Sequence, residues 1–155
     1  MSSVARNYAV PAGGVITSWS TLAGPDTGPV GLQVWRQVGI STYSLVGSTV
    51  PVTLTAGTLS SPLLNGPFPA SIAVQANDVL GMRLEGAATC GHSTGASGDQ
   101  YGFVTHTGTT ETFNLVSQFT LDVSVTLDTS VVTPPPSEDG CNSTGQTMSN
   151  DNCKQ

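Results

Sequence analysis

The sequence predicts an all-β fold, an antiparallel β-sandwich, and three observations lead there. Apolar residues recur at every second position in several short rows. Clusters of turn-forming residues separate those rows. Good helix formers never dominate a window, while Ser and Thr supply 39 of the 155 residues, Val alone 17, and Gly with Pro another 28. A period of two leaves one side of a strand dry and the other wet, the signature of antiparallel sheet. Two stacked sheets hide such faces where one cannot. A jelly-roll-like sandwich of eight or nine strands is therefore expected, with an immunoglobulin-like order as the alternative. The Cys–Trp–Cys spacing of a true immunoglobulin domain is missing.

Taken in chain order, Arg6–Val10 and Gly14–Ser20 are the first short strands, divided by Pro11-Ala12-Gly13-Gly14, whose glycines are expected to allow positive φ before a buried strand. Trp19 reads as core. Val30–Val38 follows, with Leu32 and Val34 inward and Gln33 and Gln37 outward. Thr42–Gly47, a row of Val50, Val52 and Leu54, Ser71–Gln75, and a row of Leu80, Met82 and Leu84 come next, then Gln100–Thr107. The clearest strand is Phe119–Asp128, where five apolar residues alternate strictly with polar ones. Turn clusters lie at Ala23–Pro29, Asn65-Gly66-Pro67 and Ala76-Asn77-Asp78. In the last of these Asp78 is placed to accept backbone N–H bonds.

The body runs from residue 4 to residue 132. Thr133-Pro134-Pro135-Pro136-Ser137 then reads as a polyproline spacer, and the polar tail to Gln155 holds one Met as its only large apolar residue, so 133–155 has no core of its own. Ten acidic residues stand against four basic ones, for a net charge of −6 and only 9% charged residues, well under the roughly 25% usual in soluble domains. Four cations cannot neutralise a run of phosphates, so no nucleic-acid partner is expected. No stretch approaches the ~20 apolar residues of a membrane span. The first residues lack the apolar core of a signal peptide. Either the protein stays inside, or this is a mature segment with an added Met. Scarce Lys (only Lys154) and a Ser/Thr/Gly/Pro-rich acidic surface favour the second, and with it an extracellular or cell-surface location. Cys141 and Cys153 are placed to close a small disulfide loop in the tail, leaving Cys90 odd.

Certain runs resemble a known family. Tyr8-Ala9-Val10-Pro11-Ala12-Gly13-Gly14-Val15-Ile16-Thr17-Ser18-Trp19 is followed by Leu32-Gln33-Val34-Trp35-Arg36, by Ile72-Ala73-Val74-Gln75-Ala76-Asn77-Asp78-Val79-Leu80-Gly81, and by the closing row from Phe119 to Leu127. Together they look like a β-sandwich domain of secreted and surface proteins of actinobacterial type, often followed by Asp-rich calcium-binding repeats. The resemblance implies export and a non-catalytic extracellular role, with no established ligand. Asp139-Gly140-Cys141 and Asn150-Asp151-Asn152-Cys153 echo those repeats without their dense alternation of aspartates.

Catalytic patterns are weak. Cys90-Gly91-His92 with His106 would give three zinc ligands only if the following strand folded back beside them. Glu85 with Glu111 would be the carboxylate pair of a glycosidase, and no Gly-x-Ser-x-Gly is present. Asp26 is a turn aspartate before it is a calcium ligand. No enzyme, cofactor or metal is expected. Recognition of a polysaccharide or a cell-surface partner fits better. Trp35 stands between Gln33 and Gln37 in its alternation and should point outward, offering a face for stacking on sugars. Tyr43 on the next strand and Tyr101 with Asp99 would complete the surface. The same parity sends Arg36 inward, which requires a bulge or a paired charge. The alternative is a structural subunit that self-assembles, as a homo-oligomer, into a layer, filament or shell.

Overall fold

The computed structural model of the chain describes residues 2–25, 28–85, 92–105 and 108–131, and of residues 2, 3, 5–7, 92–94 and 101 the backbone alone. The strands in chain order are β1 (Ser2–Ala9), β2 (Gly14–Ala23), β3 (Pro29–Gln37), β4 (Thr42–Ser48), β5 (Val52–Thr53), β6 (Leu63–Val74), β7 (Val79–Leu84), β8 (His92–Thr94), β9 (Gln100–Val104), β10 (Thr110–Thr112), β11 (Asn114–Ser117), β12 (Phe119–Leu121) and β13 (Val123–Asp128). All their pairings are antiparallel. No helix among the described residues is long and apolar enough to cross a membrane.

The smaller sheet has three strands in the order β13-β2-β6. The larger runs β10-β4-β3-β7-β1-β9-β11, with β5 beside β3, and a short ribbon pairs β12 with β8. The two sheets face each other across the main core. Val30, Leu32 and Val34 of β3 and Leu80, Met82 and Leu84 of β7 meet Ile16, Trp19 and Ala23 of β2, Ile72 and Val74 of β6, and Val123 of β13. The β3, β6 and β7 rows keep a period of two, the pattern that buries one face of a strand, while in β2 the period slips between Ile16 and Trp19 at a register shift.

The larger sheet is also rolled. Strands β10 and β11 occupy its opposite edges, yet only Phe113 separates them in the chain. Thr112 pairs with Thr42, and Asn114 pairs with Phe103. The sheet must curl until its edges meet, and the roll encloses a second cluster: Val4, Trp35, Tyr43, Val79 and Phe113, with half-buried Leu45, Val104 and Leu115 against it. Phe113 is the hub. Its ring lies 5.1 Å from that of Trp35 and 5.7 Å from that of Tyr43, both edge to face, the geometry that aromatic quadrupoles favour.

Strands are more numerous than expected because several rows break at irregularities. The Phe119–Asp128 row divides at Asp122, whose carbonyl accepts from the Leu22 N–H (3.3 Å) and the Thr21 hydroxyl (2.6 Å). Before that point the chain pairs with β8 and after it with β2. Asn65-Gly66-Pro67 is not a turn between strands but lies within β6. An edge strand tolerates prolines, and the register shift opposite Trp19–Thr21 absorbs the irregularity. There the Asn65 amide accepts from the Thr55 N–H (2.7 Å) and donates to the Thr55 carbonyl (3.0 Å). Val50, expected to point inward, is 84% exposed because β5 covers only Val52–Thr53. Gly13 and Gly14 do not have positive φ. Gly14 is needed for close approach instead: a Cβ there would fall on the Asp128 carbonyl.

Candidate functional site

The outward-pointing Trp35 is overturned. Its side chain is 0% exposed, as is that of Tyr43. Parity does turn Trp35 away from the main core, but the rolled sheet makes that second face an interior too. The structure brings Trp35 and Tyr43 together as expected, around Phe113 and out of reach of any ligand at the surface. Gln33, expected to face water, is 1% exposed on the same face. Gln33 Oε1 and Trp35 Nε1 are buried without a hydrogen-bond partner. The platform of Trp35 and Tyr43 for stacking on sugars is therefore lost.

Asp99 folds back on its own loop. Its carboxylate accepts from the Ala96 N–H (2.6 Å), its N–H donates to the Ala96 carbonyl (3.1 Å), and its carbonyl accepts from the Gln118 N–H (2.8 Å). Those bonds explain a half-buried turn aspartate. Tyr101 sits in β9, opposite Ala5 and Val116; its side chain lies outside the described residues. So do Asp26, Cys90, His106, Cys141, Cys153 and the side chain of His92, and with them the zinc pattern, the tail disulfide and the tail as a whole. Among the described residues no three His, Cys, Asp or Glu side chains gather to hold a metal. Glu85 and Glu111 turn to separate partners, Arg83 at 2.7 Å and the Gly108 N–H.

Arg36 resolves the parity conflict by pairing. Its Nε and Nη2 donate to the two carboxylate oxygens of Asp78 at 2.8 and 2.9 Å. The Arg36 side chain is 41% exposed at the rim, and that of Asp78 is 1% exposed. The hydrogen bond from Arg36 to Asp78 raises the arginine pKa further above its ordinary value. Asp78 also accepts from the Gln75 N–H (2.8 Å), and Asn77 beside it takes φ = 71°, a left-handed conformation that Asn accepts more readily than most residues. This buried carboxylate is structural: each of its oxygens already has a partner.

The feature with the shape of a site lies elsewhere, where the β4–β5 connection meets β6. An open groove of about 450 Å³ is floored by half-buried Phe68, whose ring packs 5.0 Å from that of the buried Trp19, tilted by 46°. Ser48, Thr49 and Ser71 supply hydroxyls around it, and exposed Val50 overhangs it. No residue of its lining is ionisable. Such a surface suits an uncharged ligand with both apolar faces and hydroxyls, and it holds no acid, base or nucleophile pair for catalysis. Comparison with family models, curated proteins and solved structures finds no match. Sequence reasoning missed Phe68 because it follows what reads as a turn. Phe113 was missed because the polar run before it and the short Leu115-Val116 pair after it give no alternation that assigns it a face. Its one signal was a large aromatic closing the polar run Thr109–Thr112, which needs burial from elsewhere in the chain.

Proposed function

We propose that this chain is a non-catalytic extracellular module for recognition or adhesion, which takes an uncharged polymer, a polysaccharide first of all, in the groove over Phe68. The observation that carries the reading is the chemistry of that lining: one half-exposed aromatic ring, three hydroxyl-bearing residues and no ionisable group, in a molecule that is otherwise acidic. The low lysine content and the Ser/Thr-rich surface support an exported location, as does the resemblance of the strand motifs to secreted sandwich domains.

A glycan array probed with the wild-type protein and with Phe68→Ala tests it. Selective binding is expected from the wild type, with at least a tenfold loss in the variant. Titration of a positive glycan should change tryptophan emission, because the Trp19 ring packs 5.0 Å from that of Phe68. Equal binding by Phe68→Ala, or none by either protein, would count against the groove.

A further inference from the structure

We propose that β13 is a self-pairing edge, through which two copies of this chain join their three-stranded sheets into one continuous sheet. Three observations meet there. The first is the strand's free side. The Leu22 N–H bond to the Asp122 carbonyl shows residue 122 turned toward β2. Strand hydrogen-bonding directions alternate, so residues 124 and 126 also face β2, while Val123, Val125 and Leu127 present their N–H and C=O groups outward. The register shift in this pairing skips Thr17 on β2, so β13 itself stays regular. Among the described residues no strand pairs with that outer side.

The second observation is the sequence of the edge. Asp122-Val123-Ser124-Val125-Thr126-Leu127-Asp128 reads as the same chemistry in both directions about Val125. An antiparallel pair centred on Val125 sets Val123 against the partner copy's Leu127, Ser124 against its Thr126, and Val125 against itself. Apolar meets apolar and hydroxyl meets hydroxyl, and Val125 falls in a position that exchanges both backbone bonds. This is the self-complementarity that a two-fold interface requires.

The third observation is the contrast between the two edges. Strand β6 carries Pro67 and Pro69, which blunt it against strand addition. Strand β13 has neither Pro nor Lys, and its half-buried Val125 and Leu127 border an apolar cavity of about 90 Å³ beside Tyr8. A six-residue pair spans about 20 Å and belongs with the small interfaces, under ~1,200 Å², that hold weak complexes. Each end of the junction opposes Asp122 to the partner copy's Asp128, so association should strengthen as salt screens those carboxylates.

Sedimentation over a concentration series, in low and high salt, reads the outcome. The wild type should move from monomer toward dimer with concentration, further in high salt. Val125→Pro removes an outward N–H without touching the β2 ladder, and it should stay monomeric with an unchanged circular dichroism spectrum. With Cys90, Cys141 and Cys153 replaced by serine, mild oxidation of Val125→Cys should give a covalent dimer. Ser124→Cys should cross-link to Thr126→Cys and not to itself. A wild-type monomer at every concentration and salt, a Val125→Pro protein that associates like the wild type, or cross-linking of Ser124→Cys alone would overturn the proposal. None of these results depends on the groove holding a ligand.

Discussion

At the scale of single residues, Trp35 and Asp128 make opposite predictions about exposure. A surface tryptophan could be truncated at little cost. Trp35 is wholly enclosed against Phe113, so Trp35→Ala should lose about 3–5 kcal/mol, read as a fall in the urea midpoint with the slope unchanged. Asp128 sits at the surface, where the Ser130 hydroxyl and N–H both donate to its Oδ1, at 2.6 and 2.9 Å. Those bonds hold its carboxyl below the usual carboxylate range, the hydroxyl contributing most. A depressed folded pKa stabilises the fold above the unfolded value of about 3.9, and that contribution is lost as pH falls through the lower folded value. A carboxyl NMR titration should therefore place the Asp128 midpoint below that of an unstructured aspartate, and Ser130→Ala should move it back up. Trp35 also shows where sequence reasoning stops. Alternation correctly tells which face of β3 a side chain occupies, but not whether a residue from the far end of the chain, here Phe113, will cover that face.

At the scale of elements, the turns carry more of the architecture than their length suggests. Asp78 lies in the turn that carries the chain from β6 in one sheet to β7 in the other; its carbonyl accepts from the Val10 N–H (2.7 Å), the Val10 carbonyl accepts from the Asn77 N–H (2.8 Å), and its carboxylate reaches Arg36 on β3. One turn thus pins the β1–β2 corner, the β6–β7 corner and the last residues of β3. Asp78→Ala would leave a half-buried guanidinium and the Gln75 N–H without their acceptor. A loss of about 2–3 kcal/mol is expected, with hydrogen exchange speeding first at Val10 and Asn77. This turn was legible in advance, since Asn-Asp before an apolar row is local chemistry. The strand character of Asn65–Pro69 was not. Its Gly-Pro pattern signals a turn locally, and only its position at a sheet edge lets those residues run as strand.

At the scale of the whole molecule, the all-β sandwich was readable because period-two rows and turn clusters are properties of short windows. The closure of the larger sheet and the groove over Phe68 were not, because each depends on segments far apart in the chain that meet only after folding. That difference has a temporal side. Val4, Trp35 and Tyr43 belong to the first third of the polypeptide, while the ring that seals them is Phe113. A ribosome-bound chain halted before that residue would hold a tryptophan and a tyrosine without the ring that both of them pack against edge to face. Contacts of such long sequence separation place folding on the slow, millisecond-to-second side of the range for small domains. Until Phe113 arrives the roll cannot close over those two rings, so their exposure to other chains is a matter of synthesis and refolding and not of the finished fold.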